Sequence, residues 1–426
     1  MTLRLQNHLP LRCKINVSQQ RNGFPTGMQV ILAVNGVFHH FDLAHELNTE
    51  GYLKQIYSTF PWRRLRREHV PQQQVRTFPW IHTPHQVIGQ RWHLPMALNR
   101  AVGYVNQVAF DKWIARTLPP CDAYVALSGS GLRSGRRAQE LGAKYVCDRG
   151  SSHARYQNQI VSDEYRRWGL DRTVSDPKVI AREEAEYEQA DAISVPSEFA
   201  RRSFIEMGVP AEKVVKIPYG VRLERFQRTG EPPRDRFEVL FTGSVSFRKG
   251  IPYLLDAFRR LKHPAKRLRI VGAMTEEIRP WLATQNLENV ELLGRMPQPR
   301  LAEFMSQSHV MVLPSVEEGL ALVQGQALAC GCPLISSLHT GGEDLFTDGV
   351  EGFLVPIRSS AAIAERLQQL ADDSGLQQRM SQSALDRVRF LGGWQQYGKL
   401  YADFLKQLIA APSGHHEAHS VASRLA

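Results

Sequence analysis

A chain of 426 residues exceeds what one ordinary core organises and fits two domains of about 200 residues each. Apolar residues make up 42% and charged residues 22%, a globular balance that excludes fibrous and low-complexity classes. The net charge of +11 is uneven, because residues 1–220 carry 29 Lys and Arg against 20 Asp and Glu. Such a basic half suits an anionic lipid surface or a phosphate-bearing acceptor. No nucleic-acid motif accompanies the charge, so nucleic acid is not expected as a partner. The cysteines at 13, 121, 147, 330 and 332 form no C-x-x-C pair. Neither a disulfide framework nor a zinc site is expected, and a reducing cytoplasm is the expected location. No apolar run reaches membrane-spanning length, and the N-terminus has no apolar signal core.

Residues 1–27 are polar and aperiodic and read as a flexible tail, with Met28 an alternative natural start. The first strand is M-Q-V-I-L-A-V from Met28. Gly36 follows, then a helix over Val37–Leu47 whose Phe41, Ala44 and Leu47 recur at helical spacing. Doubly wound domains open this way and bind ligands past the strand's end. His39 and His40 would face that cleft, although core histidines fit the pattern equally well. Residues 52–57 make a second strand. From Phe60 to Trp92, four arginines (Arg63, Arg64, Arg66, Arg67) are followed by Phe78, Trp80, His82 and His85. That mixture suits a membrane interface, and a solvated basic helix with inward aromatics suits it as well.

A helix is expected over 104–117, a strand at Ala123–Leu127, and a basic helix bearing Arg133, Arg136 and Arg137. The strand Lys144–Cys147 runs into D-R-G-S-S-H. Asp148, Arg149, Ser151, Ser152 and His153 thus crowd one loop at a strand's carboxyl end, which suits a pocket better than a plain turn. Helices follow over 179–189 and 198–207, the second capped by Ser197, with strands at Ala192–Pro196 and Val214–Pro218. The polar, proline-bearing segment 222–236 reads as a linker.

The alternation then restarts. Strand Val239–Thr242 leads through G-S-V-S-F-R-K-G into the helix Tyr253–Leu261. Small residues with Arg248 and Lys249 in a strand–helix loop point to a bound phosphate, though adjacent cations are also ordinary solvated charge. Strands at Leu268–Gly272 and Val290–Leu293 and a helix over 299–307 come next. A short apolar run then ends at Leu313 and opens P-S-V-E-E-G-L-A-L-V-Q-G-Q-A-L-A-C-G-C-P. Pro314 and Ser315 end the strand, Glu317–Gly319 form a tight loop, and Leu320–Ala329 reads as a helix closed by Gly331 and Pro333. Such a helix aims its free N–H groups and positive dipole end at the loop's mouth, a ready anion site. Glu318 lies in the loop and Gln326 about two turns down one face. An acidic helix start meets the same pattern without a ligand. A strand at Pro333–Ser336, a turn at Asp348–Gly349, a last strand ending near Val355, helices 360–373 and 376–391, and a terminal helix from Trp394 to Leu408 complete the chain. Residues 412–426 are expected to be disordered.

The stretch at 314–333 resembles the nucleotide-sugar signature of family-4 glycosyltransferases, retaining enzymes of the GT-B fold. Pro314, Ser315, Glu318, Gly319 and Ala327–Gly331 carry the match. Gln326 departs from it, standing where the family usually places a Glu on the donor's ribose, yet Gln can accept one such bond and donate another. Lys249 matches the family's lysine, Ser244 stands in place of its arginine, and Arg248 is positioned to supply the second cation. The resemblance implies an α/β protein of two Rossmann-like doubly wound domains facing a cleft. These would be an acceptor-side domain at 28–221, the linker at 222–236, a nucleotide-sugar domain at 237–392 and a helix at 393–411 crossing back. It also implies donor contacts from Gly36, Gly243, Ser244, Arg248, Lys249, Gly319, Leu320, Ala321, Leu322, Val323 and Gln326, with Gly294 and Arg295 beside the base. Glu318 would orient the donor sugar, Lys249 would neutralise the leaving diphosphate, and His153 would lie near the reacting sugar. No cofactor is implied beyond the donor, and no metal, since cations and helix dipole take that role and no acidic pair at ligand spacing occurs.

The expected activity is transfer of a sugar from a nucleotide-diphosphate sugar to a hydroxyl on a sugar or lipid-linked acceptor. Polysaccharide, lipopolysaccharide or glycolipid synthesis is the expected setting, with the protein peripheral on the inner membrane face. An epimerase or hydrolase of the same fold would differ in product, and a phosphorylase would need a pyridoxal-binding lysine for which no context is seen. A degenerate nucleotide-sugar-binding protein is favoured by Gln326 and Ser244 and opposed by Glu318 and Lys249.

Overall fold

The computed structural model describes residues 27–91, 95–221 and 225–411. The tails expected at 1–27 and 412–426 lie outside the described residues except for Gly27, as do Trp92 and linker positions 222–224. The first domain runs β1 (Val30–Val34), α1 (His39–Thr49), β2 (Leu53–Ser58), α2 (Trp62–Leu65), β3 (Val75–Thr77), α3 (His82–Arg91) and α4 (Met96–Thr117). It continues through β4 (Ala123–Leu127), α5 (Leu132–Glu140), β5 (Lys144–Asp148), α6 (Ala154–Arg167), α7 (Pro177–Gln189), β6 (Ala192–Val195), α8 (Glu198–Glu206) and β7 (Val214–Lys216). The second comprises β8 (Phe237–Thr242), α9 (Ile251–Arg260), β9 (Lys266–Val271), α10 (Arg279–Leu282), β10 (Val290–Gly294), α11 (Gln298–Ser306) and β11 (Val310–Leu313). After it come α12 (Val323–Ala329), β12 (Leu334–Ser337), β13 (Gly352–Val355), α13 (Ser360–Asp372), α14 (Ser374–Val388) and α15 (Trp394–Ala410).

Both sheets are parallel, ordered β3-β2-β1-β4-β5-β6-β7 and β10-β9-β8-β11-β12-β13. The expected pair of doubly wound domains is what the chain forms. A strand covered by helices on both faces needs no polar alternation, which is why V-I-L-A-V of β1 and V-M-V-L of β11 are buried throughout. Strand order reverses between β1 and β4 in one sheet and between β8 and β11 in the other. Those switch points open crevices at the strands' carboxyl ends.

The last helix belongs to the first core. Tyr397, Tyr401, Phe404 and Leu405 of α15 pack with Phe41, Leu43 and Leu47 of α1, where Gly398 leaves room for the Glu46 side chain. Periodicity alone missed α6, because its inward face is partly polar. Glu164 is wholly buried there, and it accepts from Trp168 Nε1 at 2.7 Å, Tyr253 Oη at 2.8 Å and Arg358 Nε at 2.6 Å. The helix expected at 104–117 starts earlier, at Met96, behind Pro95.

Candidate functional site

The loops leaving β8 and β11 build the second-domain half of the crevice. Gly250 adopts φ +72°, and a Cβ there would sit 2.1 Å from the Pro314 carbonyl oxygen, so only glycine lets the two loops meet. They are laced together. Val316 N donates to Arg248 O at 2.8 Å, and Arg248 Nη1 donates to Glu317 O at 2.6 Å. The Lys249 ammonium lies directly against the Glu318 carboxylate, which also accepts from Ser315 Oγ at 3.2 Å. Arg248 stands 3.6 Å from Glu317 Oε2 and 3.8 Å from Glu318 Oε1. Burial, then the Arg248 guanidinium, pulls the Lys249 ammonium down to about 7 against the opposing charge of Glu317. Two cations and two carboxylates thus share one mouth.

The expected helix start at Leu320 is corrected to Val323. Ala321 N donates to Thr340 O at 3.1 Å and Glu318 N to His339 O at 2.9 Å, so the segment after β12 holds 318–321 as a loop. The Ala321 amide is therefore already used, and among the residues expected to offer one, Leu322 and Val323 stand at the helix opening. A helix of seven residues carries little dipole, so the charge at this mouth comes chiefly from side chains. Gln326 is half-buried on α12, while its neighbour Gln324 is buried and donates to Thr340 O at 2.9 Å. Gly243 and Ser244 are half-buried at the end of β8. Gly294 closes β10, accepts from Gly272 N at 2.8 Å and, like Arg295, is exposed.

The first domain closes over this mouth. Gly319 packs so tightly on the loop after β5 that a Cβ would fall 2.1 Å from Gly150 O, and Ser197 Oγ donates to Gly319 O at 2.5 Å. Glu317, passed over by the motif reading, is wholly buried in the seam. Its Oε1 accepts from Ser151 Oγ at 2.6 Å and Ser152 Oγ at 2.8 Å, and its Oε2 from Gln157 Nε2 at 2.9 Å. Burial would raise this carboxyl, but Arg248 and the three side-chain donors outweigh it and hold the group below its ordinary range. The adjacent Glu-Glu pair was the only available signal, and spacing cannot say which member faces which domain.

His153 has another task. Its Nδ1 accepts from Arg155 N at 3.2 Å to cap α6, its own N donates to Ser203 Oγ at 2.9 Å, and its ring packs 5.0 Å from both Tyr187 and Phe204. Burial takes it down to about 4, so it is a neutral core residue at neutral pH. None of these contacts reaches Glu317, Glu318 or Lys249. The residues at the end of β5 are Asp148 and Arg149, and His39 and His40 converge on Asp148 from the start of α1. Gly36, at φ +99°, faces the rings of His82, Phe60 and Phe38.

Part of the chain resembles known proteins. Residues 224–387 match the model of glycosyl transferases group 1. A D-inositol 3-phosphate glycosyltransferase of Streptomyces bingchenggensis is 32% identical over 46% of this chain and 48% of its own length. A capsular polysaccharide biosynthesis glycosyltransferase of Staphylococcus aureus is 27% identical over 44% and 54%. The chain thus spans about half the length of the curated relatives it matches. Among solved structures, sucrose-phosphate synthase from Thermosynechococcus elongatus superposes with TM-score 0.66 at 19% identity, covering 90% of this chain and 100% of that one. The Anabaena protein HepE, solved in complex with UDP, gives 0.64 at 16%, covering 89% and 100%.

Proposed function

Because residues 224–387 match the model of glycosyl transferases group 1 and the described residues form two doubly wound domains of the GT-B kind, we propose that the protein is a retaining glycosyltransferase. It would use a nucleotide-diphosphate sugar, a class that the UDP-bound neighbour supports. The observation that carries this reading is the pairing of Lys249 and Arg248 with Glu318 and Glu317 at the second sheet's switch point.

An arriving diphosphate exchanges partners with this cluster. Lys249 and Arg248 turn to the phosphate oxygens, and Glu318 is released to accept hydroxyl protons of the donor sugar. Transfer breaks the bond between the anomeric carbon and the diphosphate oxygen. The acceptor hydroxyl oxygen bonds to the same carbon on the same face, and its proton passes to the leaving phosphate. The two cations stabilise the charge gathering on that phosphate. Gln326 bonds the ribose, and the backbone at Gly294 and Arg295 meets the base.

The acceptor belongs to cell-envelope polysaccharide or a lipid-linked precursor, in keeping with the capsular relative. No helix among the described residues is long and apolar enough to cross a membrane. Peripheral contact with an anionic surface would come through Arg63, Arg66 and Arg67, all exposed, and Trp80, which is 75% exposed.

The test is release of nucleotide diphosphate from a panel of nucleotide sugars, with and without sugar acceptors. Lys249→Ala should lower turnover about 10²–10³-fold, the scale for loss of one stabilising group, with folding intact. Near-wild-type turnover in that variant would sink the donor-site assignment. A changed sugar with no transfer would make the protein an epimerase instead.

A further inference from the structure

Two separate pieces of the first domain meet at the carboxyl end of β5. His39 and His40 open α1 just past Gly36, and Asp148 ends the strand. His39 Nε2 lies 2.5 Å from Asp148 Oδ2, and His40 Nε2 lies 3.5 Å from the same oxygen. All three ligand atoms fall within 4.8 Å of one another. The other Asp148 oxygen accepts from Ser194 Oγ at 2.6 Å, and Ser194 Oγ is 2.8 Å from the Tyr401 hydroxyl on α15. The carboxylate is therefore held from behind, with Oδ2 turned to the histidines.

His40 is the member that demands an explanation. It is wholly buried, and neither ring nitrogen makes a hydrogen bond. Leaving a buried polar atom unpaired is destabilising, and an apolar side chain at this position would avoid that cost.

We propose that His39, His40 and Asp148 form a binding site for one divalent transition cation of the zinc type. Two imidazoles and a carboxylate match zinc and its neighbours, whereas magnesium and calcium favour all-oxygen sets. Bonds of about 2.0–2.1 Å at tetrahedral angles separate ligand atoms by about 3.3 Å. The His40–Asp148 spacing already meets that, and His39, which is partly exposed, must draw back from its 2.5 Å contact with Asp148. Water fills the fourth place, or the Tyr219 hydroxyl, which lies 3.4 Å from His39 Nε2. Ser194 behind Asp148 is the kind of outer contact that orients a ligating carboxylate. The ion pins the turn after β1 to the end of β5, a structural role that stands whether or not the donor-site reading holds.

The test uses the full chain, stripped with a chelator and titrated with Zn²⁺ and Co²⁺. His415, His416 and His419 near the C-terminus also attract such ions, so all three are first replaced by Ala. That background should retain one ion per chain, show the visible absorption of four-coordinate Co²⁺ and melt higher with Zn²⁺. Adding His40→Ala or Asp148→Asn should abolish all three signals, and Ser194→Ala should weaken binding about 10-fold. Should His40→Ala fail to fold, His39→Gln at the partly exposed ligand serves instead. Absence of binding in the background protein, or binding unchanged by His39→Gln together with Asp148→Asn, would overturn the proposal.

Discussion

The Lys249 ammonium lies against the Glu318 carboxylate at the mouth of the second-domain crevice, so the cation proposed to meet the donor phosphate and the acid beside it compete for a single contact. Glu318→Gln removes that competitor. Nucleotide-diphosphate affinity should rise or hold, while kcat falls about a hundredfold because a charged partner for the donor sugar is lost. Calorimetry with nucleotide diphosphate, beside steady-state kinetics, separates the two effects. If the nucleotide no longer binds to Glu318→Gln, the acid has been given the wrong partner.

The half-buried Lys249 ammonium predicts a pH dependence. Its ordinary value of 10.5 is lowered to about 7, so the ammonium loses its proton as pH rises through that point. Nucleotide-diphosphate affinity should fall between pH 6.5 and 8.5, by up to about tenfold per pH unit for one linked proton. The diphosphate's own last ionisation acts in the opposite direction, since it gains charge near pH 6. Lys249→Arg keeps its charge and should flatten the profile. A profile shared by both proteins would assign the proton elsewhere.

Glu317 ties the second domain to Ser151, Ser152 and Gln157 of the first. A carboxyl held below its ordinary 4.5 contributes stability that is present above that value and fades as pH falls through the folded one. Closure should therefore weaken in acid below about pH 4.5, and Glu317→Gln should remove that component. Glu317→Ala strands buried donors, a loss of about 2–4 kcal/mol. Small-angle scattering of this variant should show a larger radius of gyration at neutral pH. An unchanged radius with unchanged denaturation midpoint would deny Glu317 the latch role.

The basic first half predicts salt-sensitive adsorption to anionic vesicles. Each exposed arginine is worth about 1 kcal/mol near such a surface. Arg63, Arg66 and Arg67 are exposed, whereas Arg64 already pairs with Glu68 at 3.1 Å. Replacing all four by Gln should weaken vesicle binding on the order of a hundredfold and leave hydrolysis of a soluble donor untouched. Sedimentation with anionic and neutral vesicles at low and high salt decides it. Indifference to anionic vesicles at low salt would hand the charge to a soluble acceptor.

Local chemistry carried much of the architecture. Short continuous apolar runs such as V-I-L-A-V and V-M-V-L, bounded by turn residues, read as strands covered on both faces, and the small residues, glycines and cations after them mark loops at strand ends. The amino-acid sequence by itself therefore determined two doubly wound domains and placed Lys249 and Glu318 on loops. What it could not carry is which side chains meet across those loops. Glu317 and Glu318 are neighbours in the chain, yet one is buried against the first domain and the other against Lys249, a division made by the packing of Gly319 on Gly150. His153 reads as a loop histidine, and only the aromatic pair Tyr187 and Phe204 draws it inward. Asp148 stands more than a hundred residues from His39 and His40, so no ligand spacing was visible before the sheet set β5 beside the start of α1. Hydrophobic periodicity is local and survives in the primary structure. Polar convergence depends on the long-range closure that burial of those same apolar faces brings about, and so belongs to the tertiary structure alone.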